Sequence, residues 1–126
     1  MKKAILTKDA PAPIGPYSQA IRIGNMLFCS GQIPLDPVSG GIVAQGDVKG
    51  QTKQVMENIA AVLKAADASF DHIAKTTIFL KSMNDFPAVN EVYGTYFKGT
   101  PPARSTVEVA RLPKDVSVEV EVIAVL

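Results

Sequence analysis

Apolar side chains recur three and four positions apart in two stretches of the chain, the spacing that places them along one side of an α-helix. The first stretch follows Asp47 and the second follows Asn84, both residue types that cap helix N-termini. The apolar positions of the first are Val55, Met56, Ile59, Val62, Leu63 and Ala66, and those of the second are Phe86, Val89, Val92, Tyr93, Tyr96 and Phe97. This pattern predicts two amphipathic helices, each with one buried face.

Alternating or β-branched segments predict about five strands. Two short strands lie in SQAIRIGNMLFCSG, where Gly24-Asn25 is typical of a two-residue hairpin turn. The other strands lie in HIAKTTIFLKS, RSTVEVA and VSVEVEVIAVL, whereas QIPLDPVSGGIVAQGD, which is rich in proline and glycine, is predicted as a loop. These elements predict an α+β fold or an α/β sandwich, with a mixed sheet and both helices on one of its faces.

Length and composition are consistent with this fold and indicate a single globular domain. The chain has 126 residues, which predicts one domain over 1–126, and 47% hydrophobic with 20% charged residues is an ordinary globular composition. A net charge of +1 gives no field that favours nucleic acid or an anionic membrane as a partner. The start, MKKAILTKDAPAP, lacks the apolar segment of a signal peptide, and the one cysteine leaves no internal disulfide, so we expect a cytoplasmic protein.

Charged side chains alternate along the last two predicted strands. Arg104, Thr106 and Glu108 share one face of their strand, while Glu119 and Glu121 share one face of the final strand. One interpretation is a solvated face with cross-strand ion pairs, worth roughly 0.2–1 kcal/mol each. The other is a subunit interface in which arginine and glutamate face a pocket. Periodicity alone does not choose between them.

Few of the residues that usually carry catalysis or bind metal are present. One histidine, His72, and one cysteine, Cys29, are too few for the common zinc sites, and we interpret them as a structural histidine and a packed thiol. No dinucleotide or phosphate-binding glycine motif occurs. Arginine, glutamate, serine, tyrosine and asparagine remain, and these groups can bind a small carboxylate and position a water molecule.

Five segments together resemble the Rid family, also called YjgF, and within it the RidA subgroup of reactive intermediate deaminases. They are IGPYSQAI, LFCSGQIPLDP, VNEVYGTYF, PPARSTVEVARLPKD and VEVEVIAV, and they run nearly end to end in register. The resemblance implies a chorismate-mutase-like α+β fold and a homotrimer formed through the sheet face away from the helices, with three clefts between subunits and no cofactor. It also implies hydrolysis of 2-iminobutanoate and 2-iminopropanoate, which dehydratases that use pyridoxal phosphate release as enamines, to 2-keto acids and ammonia.

The resemblance also assigns roles to individual residues. Arg104 matches the arginine that binds the substrate carboxylate, and Glu119 matches the glutamate that orients or activates the attacking water. The residues that match the lining of the same cleft are Tyr17, Ser30, Gly31 and Asn90. Each of these four also has an ordinary structural explanation: core packing for the tyrosine, a strand-end turn for the serine and glycine, and a polar helix position for the asparagine.

Thr106 departs from the family pattern, because active RidA proteins commonly have cysteine there. Imine hydrolysis needs no covalent nucleophile, so we expect this position to act through its backbone N–H. The departure leaves open a second hypothesis, a non-catalytic module that binds small keto or amino acids. A translation-inhibiting ribonuclease is the less favoured third hypothesis, because the sequence has neither a basic cluster nor a histidine pair. We therefore expect 2-imino acids as partners, and no nucleic acid or membrane.

Overall fold

One six-stranded mixed sheet organises the chain, as seen in a computed structural model that describes residues 1–126. Its strands are β1 (Lys2–Ile5), β2 (Ala20–Ile23), β3 (Met26–Gln32), β4 (Ile73–Leu80), β5 (Ala103–Glu108) and β6 (Val118–Val125). They lie in the order β1-β2-β3-β6-β4-β5, and neighbours are antiparallel except for the parallel pair β4 and β5. The helices are α1 (Val48–Ala65) and α2 (Phe86–Gly94). The predicted α+β fold is thereby confirmed.

Helix α1 begins at the predicted position, because the carboxylate of Asp47 accepts a hydrogen bond of 3.1 Å from the N–H of Gly50. Its predicted apolar stripe packs on the buried side chains of β3 and β6 and forms one core with them and with those of β4. Helix α2 adds Val89 and Tyr93 to the same core, so both helices cover one face of the sheet. Neither helix is long and apolar enough to cross a membrane.

The boundaries predicted for the second helix were wrong at both ends. Asn84 does not cap it, because a separate 3₁₀ turn spans Met83–Asp85 and is capped by the Ser82 hydroxyl, which accepts from the Asn84 N–H at 3.2 Å. The helix starts at Phe86, with Pro87 in its first turn, where a missing N–H costs nothing.

The second helix also ends early, at Gly94, so Tyr96 and Phe97 lie beyond it. Both rings still pack beside the core, with ring centroids 5.3 and 5.7 Å from that of Phe70. These two aromatic residues continue the three- and four-residue apolar spacing of α2 although they lie outside it, and for this reason the pattern predicted a longer helix.

The prediction of about five strands missed β1. This edge strand pairs with β2, yet three of its four side chains are exposed and only Ile5 is buried. A strand that buries one residue has no alternation for a sequence pattern to detect.

Arg104 and Glu119 do not form a cross-strand ion pair, because β4 lies between β5 and β6. Arg104 is paired with Thr76 on β4, whose side chain is fully buried under the helices, so both project from the helix-covered face. Glu119 is paired with Phe79 and projects from the opposite side, which we term the open face. The solvated-face interpretation with ion pairs between these strands is therefore wrong.

Candidate functional site

A cavity of about 630 Å³ opens where β3 and β6 meet the segment before β2, the loop after β3 and the turn before β6. Four of the residues assigned by resemblance line it: Tyr17, Ser30, Gly31 and Glu119. Apolar groups from the segment before β2 and from the loop after β3, among them Pro11, Ile14 and Leu35, form much of the remaining wall. Lys114 and Glu121 also line it, so the cavity combines apolar groups with several polar and charged groups that can orient a small molecule.

A β-bulge places Gly31 directly beneath Glu119. Cys29 is paired with Val122 and Gln32 with Val120, so β3 contains one more residue than β6 in this interval. A Cβ atom at Gly31 would lie 2.9 Å from Cδ of Glu119 and would overlap its Oε2. Only glycine leaves the carboxylate room to lie across the strand.

Burial changes the acidity of Glu119. The side chain is partly buried, and loss of solvation, followed by repulsion from Glu121, raises its pKa above the ordinary value of glutamic acid. A carboxyl with a raised pKa can accept and return a proton closer to neutral pH than a solvated one. Glu119 therefore has the position and the acidity of a group that could activate water.

Ser30 is bonded to the segment that forms one wall of the cavity. Its hydroxyl donates a hydrogen bond of 2.6 Å to the carbonyl of Ser18, and its N–H donates to the carbonyl of Gln19. The hydroxyl proton is therefore held by the segment that carries Tyr17. Ser30 positions this wall of the cavity, and only its oxygen lone pairs remain available to a ligand.

Gln19 fixes the same wall from within. Its side chain is fully buried, accepts from the N–H of Thr7 at 2.7 Å, and donates to the carbonyls of Thr7, Ala10 and Pro11. Because a buried amide with all its partners present is costly to disturb, this network holds the segment before β2 against the sheet.

Arg104 lies at the exposed edge of the sheet, where α2 supplies its contacts. Its Nη1 donates a hydrogen bond of 2.7 Å to Oδ1 of Asn90. Its guanidinium carbon lies over the rings of Phe86 and Tyr93, 5.2 Å from each ring centroid. No carboxylate of the same chain pairs with it, so this arginine has N–H groups to offer an anion.

Thr106 lies two residues further along the same face of β5 and is half-buried. It is paired with Ile78 of β4. The structure therefore places it beside Arg104, on the strand that carries the candidate anion-binding group.

The assigned residues consequently form two separate groups. Tyr17, Ser30, Gly31 and Glu119 surround the cavity at β3 and β6, whereas Arg104, Asn90 and Thr106 lie together at β5 and α2. Strand β4 separates them, and the two charged groups project from opposite faces. One chain does not bring its own arginine and glutamate into one site.

Two contributors to this arrangement were not identified from the sequence. Phe86 and Tyr93 were assigned to the apolar stripe of the second helix, yet both rings contact Arg104. Together with Asn90 they recur at spacings of four and three on one side of α2. An asparagine between two aromatic residues at that spacing was the feature of the sequence that could have indicated a binding surface for the arginine.

The isolated histidine and cysteine are structural, as predicted. Nδ1 of His72 accepts from the N–H of Ser69 at 3.0 Å in a reciprocal cap of a short 3₁₀ turn. Cys29 is buried, and loss of solvation raises the pKa of its thiol to about 12. Neither lies in a position to carry nucleophilic chemistry.

Comparison with known proteins places these residues in a family. The family model described as Endoribonuclease L-PSP matches residues 7–126. A RutC family protein of Pyrococcus horikoshii is 59% identical over 124 residues, which cover 98% of each chain. The 2-iminobutanoate/2-iminopropanoate deaminase of Salmonella typhimurium is 50% identical over 128 residues, covering 99% of this chain and 98% of the relative.

Solved structures agree along the whole length of the chain. A protein of the conserved Rid family from Yersinia pestis, YyfA, has a TM-score of 0.96 at 53% identity, covering 100% of both chains. TdcF of E. coli, solved with bound serine, has a TM-score of 0.94 at 48% identity, covering 98% of both chains.

Proposed function

The chain belongs to the endoribonuclease L-PSP family, which includes the Rid and YjgF proteins, and from this premise we propose that it hydrolyses 2-imino acids to 2-keto acids and ammonia. The proposed substrates are 2-iminobutanoate and 2-iminopropanoate, formed from the enamines that dehydratases acting on threonine and serine release. Support for these substrates comes from relatives in Salmonella typhimurium and mouse, 50% and 49% identical, that are named for this activity.

The observation that carries the proposal is the position of Glu119 across Gly31 in the cavity. The carbon of a protonated imine is already electrophilic, so the reaction needs an oriented water and a group that accepts its proton. In the proposed mechanism water adds to this carbon and the Glu119 carboxylate accepts one proton. The carboxyl returns that proton to nitrogen, and the C–N bond breaks as the carbonyl forms. The hydroxyl proton passes back to the Glu119 carboxylate, from which the departing ammonia takes it as ammonium, and the keto acid is released.

Arg104 is the proposed anchor for the substrate carboxylate. A guanidinium presents a planar set of N–H donors that matches a carboxylate with two parallel hydrogen bonds. The hydrogen bond to Asn90 orients the group, and Thr106 on the same strand would add its backbone N–H.

The proposed assembly is a homotrimer in which each cleft takes Arg104 from one subunit and Glu119 from the next. Support comes from the separation of the two groups within one chain and from the open face, where Phe28, Val107 and Ile23 are exposed. Packing these apolar side chains against another copy would remove them from water and would bring the two halves of the site together.

A coupled assay tests the activity. Threonine dehydratase converts threonine to the enamine, and semicarbazide traps the imine that has not yet been hydrolysed. We expect the protein to speed the formation of 2-oxobutanoate and to reduce the trapped fraction in proportion to its concentration. No change in either quantity at protein concentrations well above the dehydratase would contradict the proposal.

One specific observation favours a second candidate, a module that binds small amino or keto acids without turnover. TdcF of E. coli was solved with bound serine, an amino acid that contains an amine and not an imine. Saturable binding of serine or 2-oxobutanoate, combined with no acceleration in the coupled assay, would favour this candidate over the enzyme.

A further inference from the structure

The charged end of Arg104 is held by several contacts, which is unusual for a side chain on a solvent-exposed edge strand. The residue is exposed, yet its guanidinium lies over two aromatic rings at equal distances of 5.2 Å and donates to one amide oxygen. All three contacts come from one side of α2, from Phe86, Asn90 and Tyr93. An arginine side chain has several rotatable bonds, so three contacts that converge on its charged end restrict it strongly.

One of the two rings is itself fixed by the sheet. Tyr93 is buried, and its hydroxyl lies 2.7 Å from Oγ1 of Thr76. Thr76 is the residue paired with Arg104 across β4 and β5. The register that places Arg104 on this face therefore also places the group that holds the ring beneath it.

The second ring is held more loosely. Phe86 is the first residue of α2 and is half-buried. One part of the ring packs against the hydrophobic core. The same ring also lies under the Arg104 guanidinium, so it bridges the core and the charged group.

We propose that Phe86 and Tyr93 form an aromatic clamp that positions the Arg104 guanidinium to receive the carboxylate of a 2-imino acid. This inference rests on the proposed function and adds two positioning residues to it. The electron-rich faces of the two rings attract the guanidinium cation. The N–H groups of Arg104 that do not bond to Asn90 remain free to donate to the ligand. An arginine that is already oriented loses less conformational freedom when the carboxylate binds, so the clamp lowers the Kd for the ligand.

The test uses Phe86→Leu, which keeps an apolar side chain and removes the ring, with Phe86→Tyr as the matched variant that restores a ring. A carboxylate anchor acts on ground state and transition state alike, so its misplacement raises KM and spares kcat. For Phe86→Leu we expect KM in the coupled assay, and the Kd of 2-oxobutanoate by calorimetry, to rise about five- to tenfold. Phe86→Tyr restores both values, whereas a purely structural defect in Phe86→Leu would instead lower its kcat or its thermal stability.

A direct measurement of Arg104 makes the clamp testable without activity. The chain has three arginines, so their Nε–Hε signals in ¹⁵N NMR spectra can be assigned by substituting each with lysine. Ring currents from the clamp displace the Arg104 signal, and Phe86→Leu returns it toward the position of a solvated arginine. Unchanged Arg104 signals together with an unchanged Kd in Phe86→Leu would overturn the clamp.

The two proposals fail in distinguishable ways. If the wild-type protein does not hydrolyse imines but Phe86→Leu moves the Arg104 signal and weakens 2-oxobutanoate binding, the clamp stands and the enzyme proposal falls. If the wild-type protein hydrolyses imines and Phe86→Leu has wild-type KM, Kd and NMR signals, the enzyme stands and the clamp falls. Tyr93→Phe, which keeps the ring and removes the bond to Thr76, is expected to displace the Arg104 signal less than Phe86→Leu.

Discussion

Arg104 and Glu119 project from opposite faces of the same sheet, with β4 between the strands that carry them. Arg104 is paired with Thr76 beneath the helices, and Glu119 is paired with Phe79 on the open face. A reaction that needs a carboxylate anchor and a base on one small molecule cannot take both from one chain. The geometry of the single chain therefore supports a site that is shared between copies.

Replacing Arg104 tests the proposed anchor. We expect Arg104→Ala to remove roughly 2–5 kcal/mol of transition-state stabilisation, because a desolvated carboxylate would lose its partner. Arg104→Lys keeps the charge but not the planar fork, so we expect it to recover only part of the loss. The ratio kcat/KM in the coupled assay measures both. Arg22→Ala is the control, since Arg22 donates to a turn carbonyl elsewhere, and near-wild-type kcat/KM in Arg104→Ala would refute the anchor.

Gly31→Ala tests the position of Glu119. The added Cβ would overlap the Glu119 carboxylate, so the side chain must move away from its place across β3. We expect kcat to fall about a hundredfold, since misplacing a catalytic group by about 1 Å has effects of this size. Gly99→Ala is the matched control, because nothing lies within 4 Å of a Cβ there. Equal kcat values for the two variants would contradict the assigned position.

The pKa of Glu119 predicts how activity depends on pH. The mechanism needs the ionised carboxylate, so activity falls as the pH drops through this raised pKa, at a higher pH than for a solvated glutamate. Glu121→Gln removes the neighbouring charge that contributes to the raised pKa, and we expect the acidic limb of kcat/KM to move to lower pH. Glu57→Gln, on α1, is the control. If the acidic limb of the pH profile of kcat/KM does not move in Glu121→Gln, a group other than Glu119 controls activity at low pH.

The same pKa shift predicts a gain in stability when Glu119 is neutralised. Because its pKa is raised in the folded state, the group stabilises the fold below its unfolded-state pKa, and this contribution is lost as the pH rises through the folded-state value. At neutral pH the buried charge is unfavourable, so we expect Glu119→Gln to raise Tm while it abolishes hydrolysis. Thermal unfolding at pH 7 and at pH 4 measures this, and an equal change in Tm at both values would contradict the explanation.

Thr106 tests whether the family's usual cysteine is needed for its sulfur. If the backbone N–H is the functional group, Thr106→Cys should change kcat by less than about threefold. The other thiol of the chain, Cys29, is buried, so a thiol reagent that inhibits only Thr106→Cys reports on this position. A rise of about two orders of magnitude in kcat for Thr106→Cys would show that catalysis requires the sulfur and that threonine at this position lowers activity.

The sequence predicted those elements whose periodicity is produced by burial. The stripe of α1 and the buried alternation of β6 both follow from one face packing on a core. The hairpin at Gly24-Asn25 was predicted from its turn residues instead. It could not predict β1, with its one buried residue, or the end of α2, where aromatic packing continued the helical spacing. Local pattern carries no information about either of these.

The candidate site was predicted only as far as the resemblance allowed. Residue types alone left two interpretations of Arg104, an ion pair with the final strand or a group that faces a pocket at an interface, because strand alternation does not reveal which strands are neighbours. The insertion of β4 between β5 and β6 is a property of the whole topology. The contacts of Phe86 and Tyr93 with Arg104 likewise depend on how α2 crosses the sheet edge.

Complementation between two inactive variants tests the shared site most directly. Arg104→Ala and Glu119→Gln are co-expressed with different tags, and assemblies that contain both are purified. In a trimer with clefts between subunits, each mixed assembly has one cleft with both native residues, so we expect about one third of wild-type activity. Arg104→Ala mixed with the double variant should be inactive. Mixed assemblies without activity, in a preparation whose wild-type counterpart hydrolyses imines, would contradict a site built from two chains.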